Sequence, residues 1–441
     1  MNSIILGAGL SGITTAYFLQ NYEQYKSITL LEMEDRPGGL CRSILKDDYL
    51  YDIGPHILFS KDKEMLNLML DVLEGKNDLK RSNKILYKQR QVQYPFENDL
   101  SKLPPEDLHY CINAFNHNPY ESYEATNMIQ FFLKTFGEGI TNTYLRPYNE
   151  KIWKYDPAFM NTSMVDRIPK PTQEEIRRSA AGETVDGYVH QLYFSYPSQG
   201  GIEAVPNGFL KRLDPEKCHI KTNSEVCKIT KDGRKYSVYT TDGACYTADQ
   251  VISTIPVQAL TASYEGATDE LKACVSDLRY NSIAIAFVKT PYDLCGDNFA
   301  FMIPDKNVIF HRISKMDFLG DAYHHGEEAT YMVEVTYREN DKVDTLKDEE
   351  FRRQIMQGMV DIGFAKEIED VTIVDISKYQ YAYVIYDLNH TENMHRIRKF
   401  YHNEGIVLNG RFGNFEYWNM DRILRESFEL SKRLGKSERI S

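Results

Sequence analysis

The sequence lacks several features that would mark other classes of protein. No apolar run approaches the length of a membrane span, and charged residues make up 26% of the chain. A formal net charge of −12 leaves no basic excess for a nucleic-acid partner. Internal repeats and low-complexity tracts are absent from the 441 residues. This composition predicts a globular protein of two or three domains, with no membrane span and no nucleic-acid partner.

Cysteine is sparse as well. The seven cysteines are scattered, and no two of them form a C-x-x-C pair, so they indicate buried or incidental thiols in a reducing compartment. His324 and His325 are adjacent and cannot share a face of a helix or strand, so we predict a solvated loop and no metal site. The chain passes directly into its first predicted strand, from which we expect no signal peptide and a cytoplasmic location.

The first motif is ILGAGLSGITTAYFL, which begins at Ile5 and sets three glycines between an apolar strand and a helix-length apolar segment. Such glycines permit a tight turn, the approach of the backbone to a pyrophosphate, and close packing of helix on strand. A second predicted strand, Ser27 to Leu31, ends at Glu32, whose carboxylate can accept from ribose hydroxyls. We predict a dinucleotide site here, and the alternative is a glycine-rich turn without a ligand. Its residues are Gly7, Gly9, Leu10, Ser11, Gly12 and Glu32.

A second glycine pair follows in EDRPGGLCRS, ahead of YDIGPHILFS. An NAD domain has no use for this second pair, whereas a flavin needs more backbone donors along its pyrophosphate and ring edge. The sequence therefore favours FAD over NAD. Val226, on a later predicted strand, is placed to cover an adenine. The further cofactor contacts predicted here are Arg36, Gly39 and Leu40.

The predicted fold class is α/β, with a discontinuous Rossmann-like FAD-binding domain. Its three parts are residues 1–85, 215–282 and 395–441. Residues 86–214 are predicted to be a mainly helical, substrate-binding insertion. Residues 283–394 alternate in the manner of strands and predict an antiparallel sheet that covers a site.

Some individual elements are also predicted. Helices are expected over residues 127–136, 173–179 and 347–360. Hairpin turns are expected at Asp232-Gly233 and Asp242-Gly243.

Four more motifs carry a family resemblance: GPHILFS, YPFENDLSKLPPED, YLRPYNEKIW and GRFGNFEYWNMD. With the glycine loops they resemble UDP-galactopyranose mutase, within the larger amine-oxidase-like flavoprotein group. The resemblance spans nearly the whole chain in the same order, although only these short motifs are close.

The resemblance implies roles for particular residues. His56, preceded by Gly54, matches a histidine near the reactive flavin N5. Arg146, and by a looser match Arg312, match arginines that meet the substrate diphosphate. The implied flavin-holding positions near the C-terminus are Arg411, Asn419 and Met420. The other implied substrate-binding positions are Tyr94, Phe96, Asn98, Tyr386 and Tyr417.

Each role has a structural alternative. Arg146 could cap a helix, Arg312 could face solvent from a strand, and His56 could be a packing histidine. Tyr94 and Phe96 could be core aromatics.

The resemblance also implies a non-redox use of FAD. In this mechanism reduced FAD attacks the anomeric carbon through N5 and displaces the nucleoside diphosphate, after which the sugar recloses through a different hydroxyl. A UDP-galactose-like sugar would be interconverted between pyranose and furanose forms for surface polysaccharide synthesis, with NADPH as a candidate reductant. The alternatives are an amine-oxidase-like or protoporphyrinogen-oxidase-like redox enzyme and a binding module without flavin. The sequence sets neither the oligomeric state nor the identity of the sugar and base.

Overall fold

The computed structural model describes residues 1–165, 168, 171–183, 185 and 192–436. The other positions, inside the predicted insertion 86–214 and at the end of the predicted segment 395–441, lie outside the described residues.

Strands and helices alternate along much of the chain. The strands are β1 (Asn2–Leu6), β2 (Ser27–Leu31), β3 (Ser43–Lys46), β4 (Tyr49–Asp52), β5 (Lys76–Lys80), β6 (Asn83–Tyr87), β7 (Arg90–Gln93), β8 (Tyr193–Pro197), β9 (Cys218–Lys221), β10 (Val226–Asp232), β11 (Lys235–Thr240), β12 (Cys245–Ala248), β13 (Gln250–Ser253), β14 (Arg279–Thr290), β15 (Ala300–Met302), β16 (Arg312–Lys315), β17 (Ala329–Tyr337), β18 (Thr372–Ile385) and β19 (Ile406–Leu408). The α-helices are α1 (Leu10–Leu19), α2 (Lys63–Asp71), α3 (Pro105–Asn116), α4 (Met128–Ile140), α5 (Arg146–Trp153), α6 (Gln173–Ala180), α7 (Ala204–Leu210), α8 (Val257–Ser263), α9 (Asp269–Ser276), α10 (Asp348–Asp361), α11 (His390–Glu404) and α12 (Met420–Lys436).

A five-stranded parallel sheet in the order β19-β13-β1-β2-β9 forms one half of the architecture. Its central strand β1 is buried from Ser3 to Leu6 and apolar from Ile4 onward, as expected of a strand covered on both faces. The strands come from the start, the middle and the end of the chain. The prediction of a discontinuous, Rossmann-like sheet is therefore confirmed.

A seven-stranded sheet in the order β18-β14-β17-β16-β15-β6-β7 forms the other half. Its pairs are antiparallel except for β15 with β6, which run parallel. Alternate residues of β17 enter different cores: Met332 joins the core shared with the parallel sheet, whereas Val333 and Val335 pack with helix α10. The predicted antiparallel sheet is confirmed, and it gains β6 and β7, two short strands from residues 83–93 that the sequence analysis did not predict.

The predicted local elements also form. Asn127 caps α4 by accepting from the Gln130 backbone N–H, and Thr172 and Glu175 form a capping box at the start of α6. Helix α10 spans Asp348–Asp361. Gly233 and Gly243 adopt positive φ in the turns that join β10 to β11 and β11 to β12.

Candidate functional site

The two glycine motifs lie side by side at the carboxyl end of β1. The Gly38 backbone N–H donates to the Ala8 carbonyl at 2.9 Å, and Gly9 pairs with Gly38 across a β-bridge. A Cβ built on Gly39 would lie 3.0 Å from the Gly9 Cα, and one on Gly12 would lie 2.0 Å from the Gly7 carbonyl oxygen. Side chains are therefore excluded, and bare backbone faces the start of α1. We call these paired loops the glycine cradle, and it has the character of a dinucleotide pyrophosphate site.

Glu32 is anchored beside the glycine cradle. Its Oε2 accepts from the Ala8 N–H at 2.8 Å, and its Oε1 accepts from the Glu34 N–H at 3.1 Å. The carboxylate is buried at the end of β2. The carboxylate is thus bound directly to the first glycine loop, where a ribose would follow the pyrophosphate.

The remaining predicted cofactor positions differ in the burial and the hydrogen bonds of their side chains. The Arg36 guanidinium is held by Glu203 at 3.1 Å and by the Ser43 carbonyl at 2.8 Å, so its side chain braces the second glycine loop. Ser11 is buried at the start of α1, where a Cβ on Gly410 would lie 2.5 Å from its Oγ. Leu40 and Val226 are half-buried against the core.

Arg411 lies between the two sheets, directly after β19. Its Nη1 donates to the Trp418 carbonyl at 3.0 Å and its Nη2 to the Ala382 carbonyl at 2.7 Å. The guanidinium also stacks over the Tyr417 ring, 4.2 Å from its centroid. Its Nε is buried without a hydrogen-bond partner among the described residues. Buried donors rarely stay unpaired, so this N–H fits an acceptor supplied by a bound cofactor.

Helix α12 begins next to Arg411, with the exposed Asn419 preceding the buried Met420. Ser60, from the GPHILFS loop, donates to the Asp421 carboxylate in the first turn of this helix. The N-terminus of α12 thus lies against the loop that carries His56. Taken with the glycine cradle, these groups fit an FAD.

His56 is half-buried on that loop. Its Nδ1 lies 3.1 Å from the Gly54 carbonyl oxygen, which can only accept, so Nδ1 carries the proton and Nε2 is left as an acceptor. Burial, together with the positive charges of Arg411 and Arg312, lowers the pKa of His56 to about 4. The imidazole is therefore neutral at neutral pH.

Arg312 pairs with a carboxylate that the sequence analysis did not identify. Arg312 and Glu334 are partners in the register of β16 and β17, and the guanidinium holds the carboxylate through both Nε and Nη2, the latter at 2.6 Å. Glu334 is fully buried and also accepts from the Tyr383 hydroxyl at 3.4 Å. Burial disfavours the charged guanidinium, but Glu334 outweighs it and raises the pKa of Arg312 above its usual value. The alternative that Arg312 simply faces solvent from a strand is therefore wrong, because its guanidinium is held by the buried Glu334 carboxylate.

The Gly54–His56 loop meets this pair. A Cβ on Gly54 would lie 3.8 Å from Glu334 Oε2, and the charge of Arg312 contributes to the low pKa of His56. The loop beside the glycine cradle and the polar face of the seven-stranded sheet therefore form one site.

Aromatic rings line the rest of this face. Tyr383 stacks on Tyr417 with centroids 5.9 Å apart, and Trp153 meets the edges of both rings at 5.8 Å. Tyr148 stacks on Tyr144 at 5.3 Å, and burial together with the charge of Glu334 raises its pKa, with Arg312 opposing. Phenol and indole groups of this kind suit a polar ligand with a flat ring.

The sequence-predicted substrate residues do not all join this group. Tyr94 is half-buried and close to Arg312, whose charge opposes the rise in the pKa of Tyr94 caused by burial and Glu97. Phe96 is fully buried and stacks on Tyr144 at 4.7 Å, which makes it a core aromatic. The backbone N–H of half-buried Asn98 donates to the Pro95 carbonyl.

Arg146 and Tyr386 lie at the margin. Arg146 is 46% exposed and pairs with Glu150, one helical turn later, at 2.8 Å. The Tyr386 hydroxyl donates to Glu416 at 2.6 Å and accepts from the Tyr417 N–H at 2.7 Å, so it supports the Tyr417 segment from behind. The Arg146 side chain therefore forms a surface ion pair along its helix and does not cap a helix.

Weak signals for the missed residues were present in the sequence. Glu334 is a charged residue inside the apolar strand TYMVEVTY, a position that implies a buried partner. Tyr383 lies three residues before Tyr386 in YVIY, and Tyr148 and Trp153 lie inside YLRPYNEKIW.

Two observations concern other kinds of site. Among the described residues, no group of three or more His, Cys, Asp or Glu side chains is arranged to hold a metal ion. None of the helices in the described ranges is both long and apolar enough to cross a membrane.

The parallel sheet, the glycine cradle and the buried carboxylate at the end of β2 define a dinucleotide-binding α/β protein. Comparison with known proteins narrows this class. The family of flavin-containing amine oxidoreductases matches residues 10–411, so the chain belongs to that family. Membership implies FAD as the cofactor of the glycine cradle.

Individual relatives fall into two functional groups. The chain is 27% identical to UDP-galactopyranose mutase of Mycoplasma genitalium over 37% of this chain and 43% of that protein. It is 35% identical to coproporphyrinogen III oxidase of Staphylococcus aureus over 15% of each protein. The chain thus spans less than half the length of these two curated relatives.

A solved structure resembles nearly the whole chain. The crystal structure of reduced UDP-galactopyranose mutase superposes with a TM-score of 0.89 at 23% identity, covering 98% of this chain and 93% of that one. At this identity the likeness shows the fold, and it confirms the resemblance expected from the short motifs.

Proposed function

We propose that this protein is an FAD-dependent nucleotide-sugar mutase that interconverts the pyranose and furanose forms of a UDP-galactose-like sugar. One observation carries the proposal: the wall facing the cofactor loop consists of half-buried Arg312 paired with fully buried Glu334, tyrosine hydroxyls and stacked rings. A sugar diphosphate needs hydrogen-bond donors, cationic groups and ring faces, and this wall supplies all three.

When bound, reduced FAD would supply a nucleophilic nitrogen, N5, for the anomeric carbon of the sugar. The protein's own residues would then bind and orient. Arg312 would hold the departing diphosphate through the N–H groups that Glu334 does not occupy, because a guanidinium meets phosphate oxygens with fixed geometry. The diphosphate returns to the same carbon after ring closure, so it must not escape between the two events.

His56 would serve the proton transfers. It is neutral, and its Nε2 can accept a proton from a sugar hydroxyl and return it to the ring oxygen. The tautomer is set by the Gly54 carbonyl, so the accepting nitrogen faces away from its own loop backbone. The net reaction rearranges bonds within the sugar and leaves no overall change in oxidation state.

Several finer parts of the proposal rest on the sequence alone. These are the diphosphate contact of Arg146, the substrate contact of Tyr386, NADPH as reductant, the cytoplasmic location and the role in surface polysaccharide synthesis. They stay predictions.

The deciding experiment is anaerobic. The purified protein is reduced with dithionite, mixed with a panel of nucleotide sugars and treated with cyanoborohydride, and the mass of the flavin is then measured. A mass increase of one sugar, absent when the protein is kept oxidised, supports the mutase and identifies the sugar. A bound FAD that keeps its own mass across the panel contradicts it.

The second candidate is a redox enzyme, which the match to coproporphyrinogen III oxidase favours. It predicts hydrogen peroxide when the oxidised protein is mixed with a porphyrinogen or an amine in air. The mutase predicts none above the slow background of free flavin.

A further inference from the structure

Arg81 is a half-buried arginine that neither the motifs nor the family match singles out. It lies between β5 and β6, where its backbone N–H donates to the Leu192 carbonyl at 2.6 Å. Its guanidinium covers the ring of Phe59 at 4.6 Å, and Phe59 belongs to the same loop as His56. The side chain is thus fixed next to the proposed site.

The charge of Arg81 has no counter-ion among the described residues. Its Nε is buried there without a hydrogen-bond partner, and no described carboxylate lies within ion-pair distance of it. Burial lowers the pKa of Arg81, Tyr94 opposes this effect, and Arg312 adds to it. One loop joins Arg81 to the Arg312–Glu334 pair, because Arg81 covers Phe59 and Gly54 lies beside Glu334.

Only one of those two arginines is neutralised. Arg312 is held by both oxygens of Glu334, so the pair carries no net charge. An anion that enters between them would meet the uncompensated positive charge of Arg81. A partly buried cation without a counter-ion loses some of its hydration, and a bound anion compensates for that loss.

The space beside Arg81 is a cavity of about 400 Å³. Asn83 and Tyr94 line it, and Asn83 Oδ1 is buried without a hydrogen-bond partner among the described residues. Lys80, Lys84 and Asp297 stand in its wall, so its charged groups are mainly positive. The cavity therefore offers a cation, a free acceptor and an aromatic ring to one ligand.

We propose that Arg81 is the residue that binds the diphosphate of the substrate, with the nucleoside lodged in the cavity beside Asn83 and Tyr94. This inference rests on the proposed function, because it assigns the diphosphate end of the same substrate. Arg312, whose charge is balanced by Glu334, then orients the diphosphate through hydrogen bonds. Arg81 supplies the uncompensated positive charge that attracts the diphosphate. The chemical class selected is a nucleoside diphosphate, bound by charge at one end and by polar contacts at the other.

The test measures binding of UDP to the oxidised, FAD-loaded protein by calorimetry, so it does not depend on turnover. Arg81→Gln should weaken UDP binding roughly 10- to 100-fold, the usual worth of a charge-assisted hydrogen bond, and should leave the FAD content unchanged. Arg81→Lys keeps the charge but loses the planar fork, so an intermediate affinity is expected. Arg353→Gln is the matched control, because Arg353 is 62% exposed and pairs with Glu350 on the far side of the large sheet.

Equal UDP affinity in wild type and Arg81→Gln would overturn the inference and leave the mutase proposal intact. If Arg81→Gln loses FAD, UDP binding is compared between wild type and Arg81→Lys instead. An Arg81→Lys protein that binds UDP with the affinity and the salt dependence of wild type would overturn the inference. Failure of the wild type to bind UDP would overturn both proposals. UDP binding that depends on Arg81 without a sugar-dependent change in flavin mass would keep the diphosphate site and contradict the mutase.

Discussion

The glycine cradle and the polar face of the large sheet are built in opposite ways. The cradle is made of backbone from two loops within the first forty residues, and its shape depends on having no side chains. The polar face is made of side chains, and Arg312, Glu334 and Tyr383 come from three different strands. The first region should therefore be sensitive to added atoms, and the second to lost charges and hydrogen bonds.

The largest effect should come from adding one methyl group to the cradle. Gly12→Ala would place its Cβ 2.0 Å from the Gly7 carbonyl oxygen, so strand β1 and helix α1 must separate. We expect a loss of stability on the order of 4 kcal/mol together with loss of FAD. Thermal unfolding and the absorbance ratio of flavin to protein measure both.

Gly9→Ala provides the matched comparison in the same loop. Its Cβ would lie 3.7 Å from the Gly39 Cα, an ordinary contact, so the fold should tolerate it. The added methyl group would still stand where the backbone approaches the pyrophosphate, and we expect weaker FAD retention in a folded protein. Equal FAD content in Gly9→Ala and wild type would contradict the assignment of the cradle.

The next effect should come from removing a charge at the polar face. Glu334→Gln would leave Arg312 with a neutral partner, and breaking a buried pair by removing one charge costs about 3 kcal/mol. Chemical denaturation measures this loss. Glu350→Gln, which breaks an exposed pair with Arg353, should cost less than about 1 kcal/mol. Similar losses of stability in Glu334→Gln and Glu350→Gln would show that the Arg312–Glu334 pair is no stronger than the exposed Arg353–Glu350 pair.

The smallest effect is a pH dependence at the junction of the two regions. The pKa of His56 is lowered to about 4 in the folded protein, below the value of about 6.5 expected when unfolded. The unfolded chain therefore binds the extra proton first, and stability should fall as the pH drops from 6.5 to 4, with a slope of at most about 1.4 kcal/mol per pH unit. His56→Gln should flatten that part of the curve. If the unfolding temperature changes by the same amount between pH 7 and pH 5 in His56→Gln and in wild type, the low pKa of His56 is contradicted.

The two regions also differ in how well the sequence predicts them. The bounds of β2 and the helix α1 after the first glycine loop follow from local signals, because glycine spacing and apolar runs act within one loop and its flanking elements. The pairing of Arg312 with Glu334 joins residues 22 positions apart, and the contact of Tyr383 with Glu334 joins residues 49 apart. Such contacts depend on strand register, which no local motif specifies.

Individual residues show the same limit. Tyr386 and Tyr383 belong to one motif, but β18 ends at Ile385, so only Tyr383 lies on the strand, where it reaches Glu334. The family resemblance implies that Phe96 binds substrate, yet Tyr87 and Tyr144 cover its ring. The spacing of Arg146 and Glu150 by four residues is typical of an ion pair on one helix face, and the structure contains that pair.

The order of strands in the parallel sheet affects when the sheet can form during translation. Strand β1 precedes the other four strands of this sheet in the chain; it pairs with β2 and with β13, and β19 pairs with β13. The glycine cradle therefore lacks one of the two strands that flank β1 until Ser253 has been translated. Until then β1 has a single neighbour, β2, and its other edge is open, so we expect stable cofactor binding only after β13 has been synthesised.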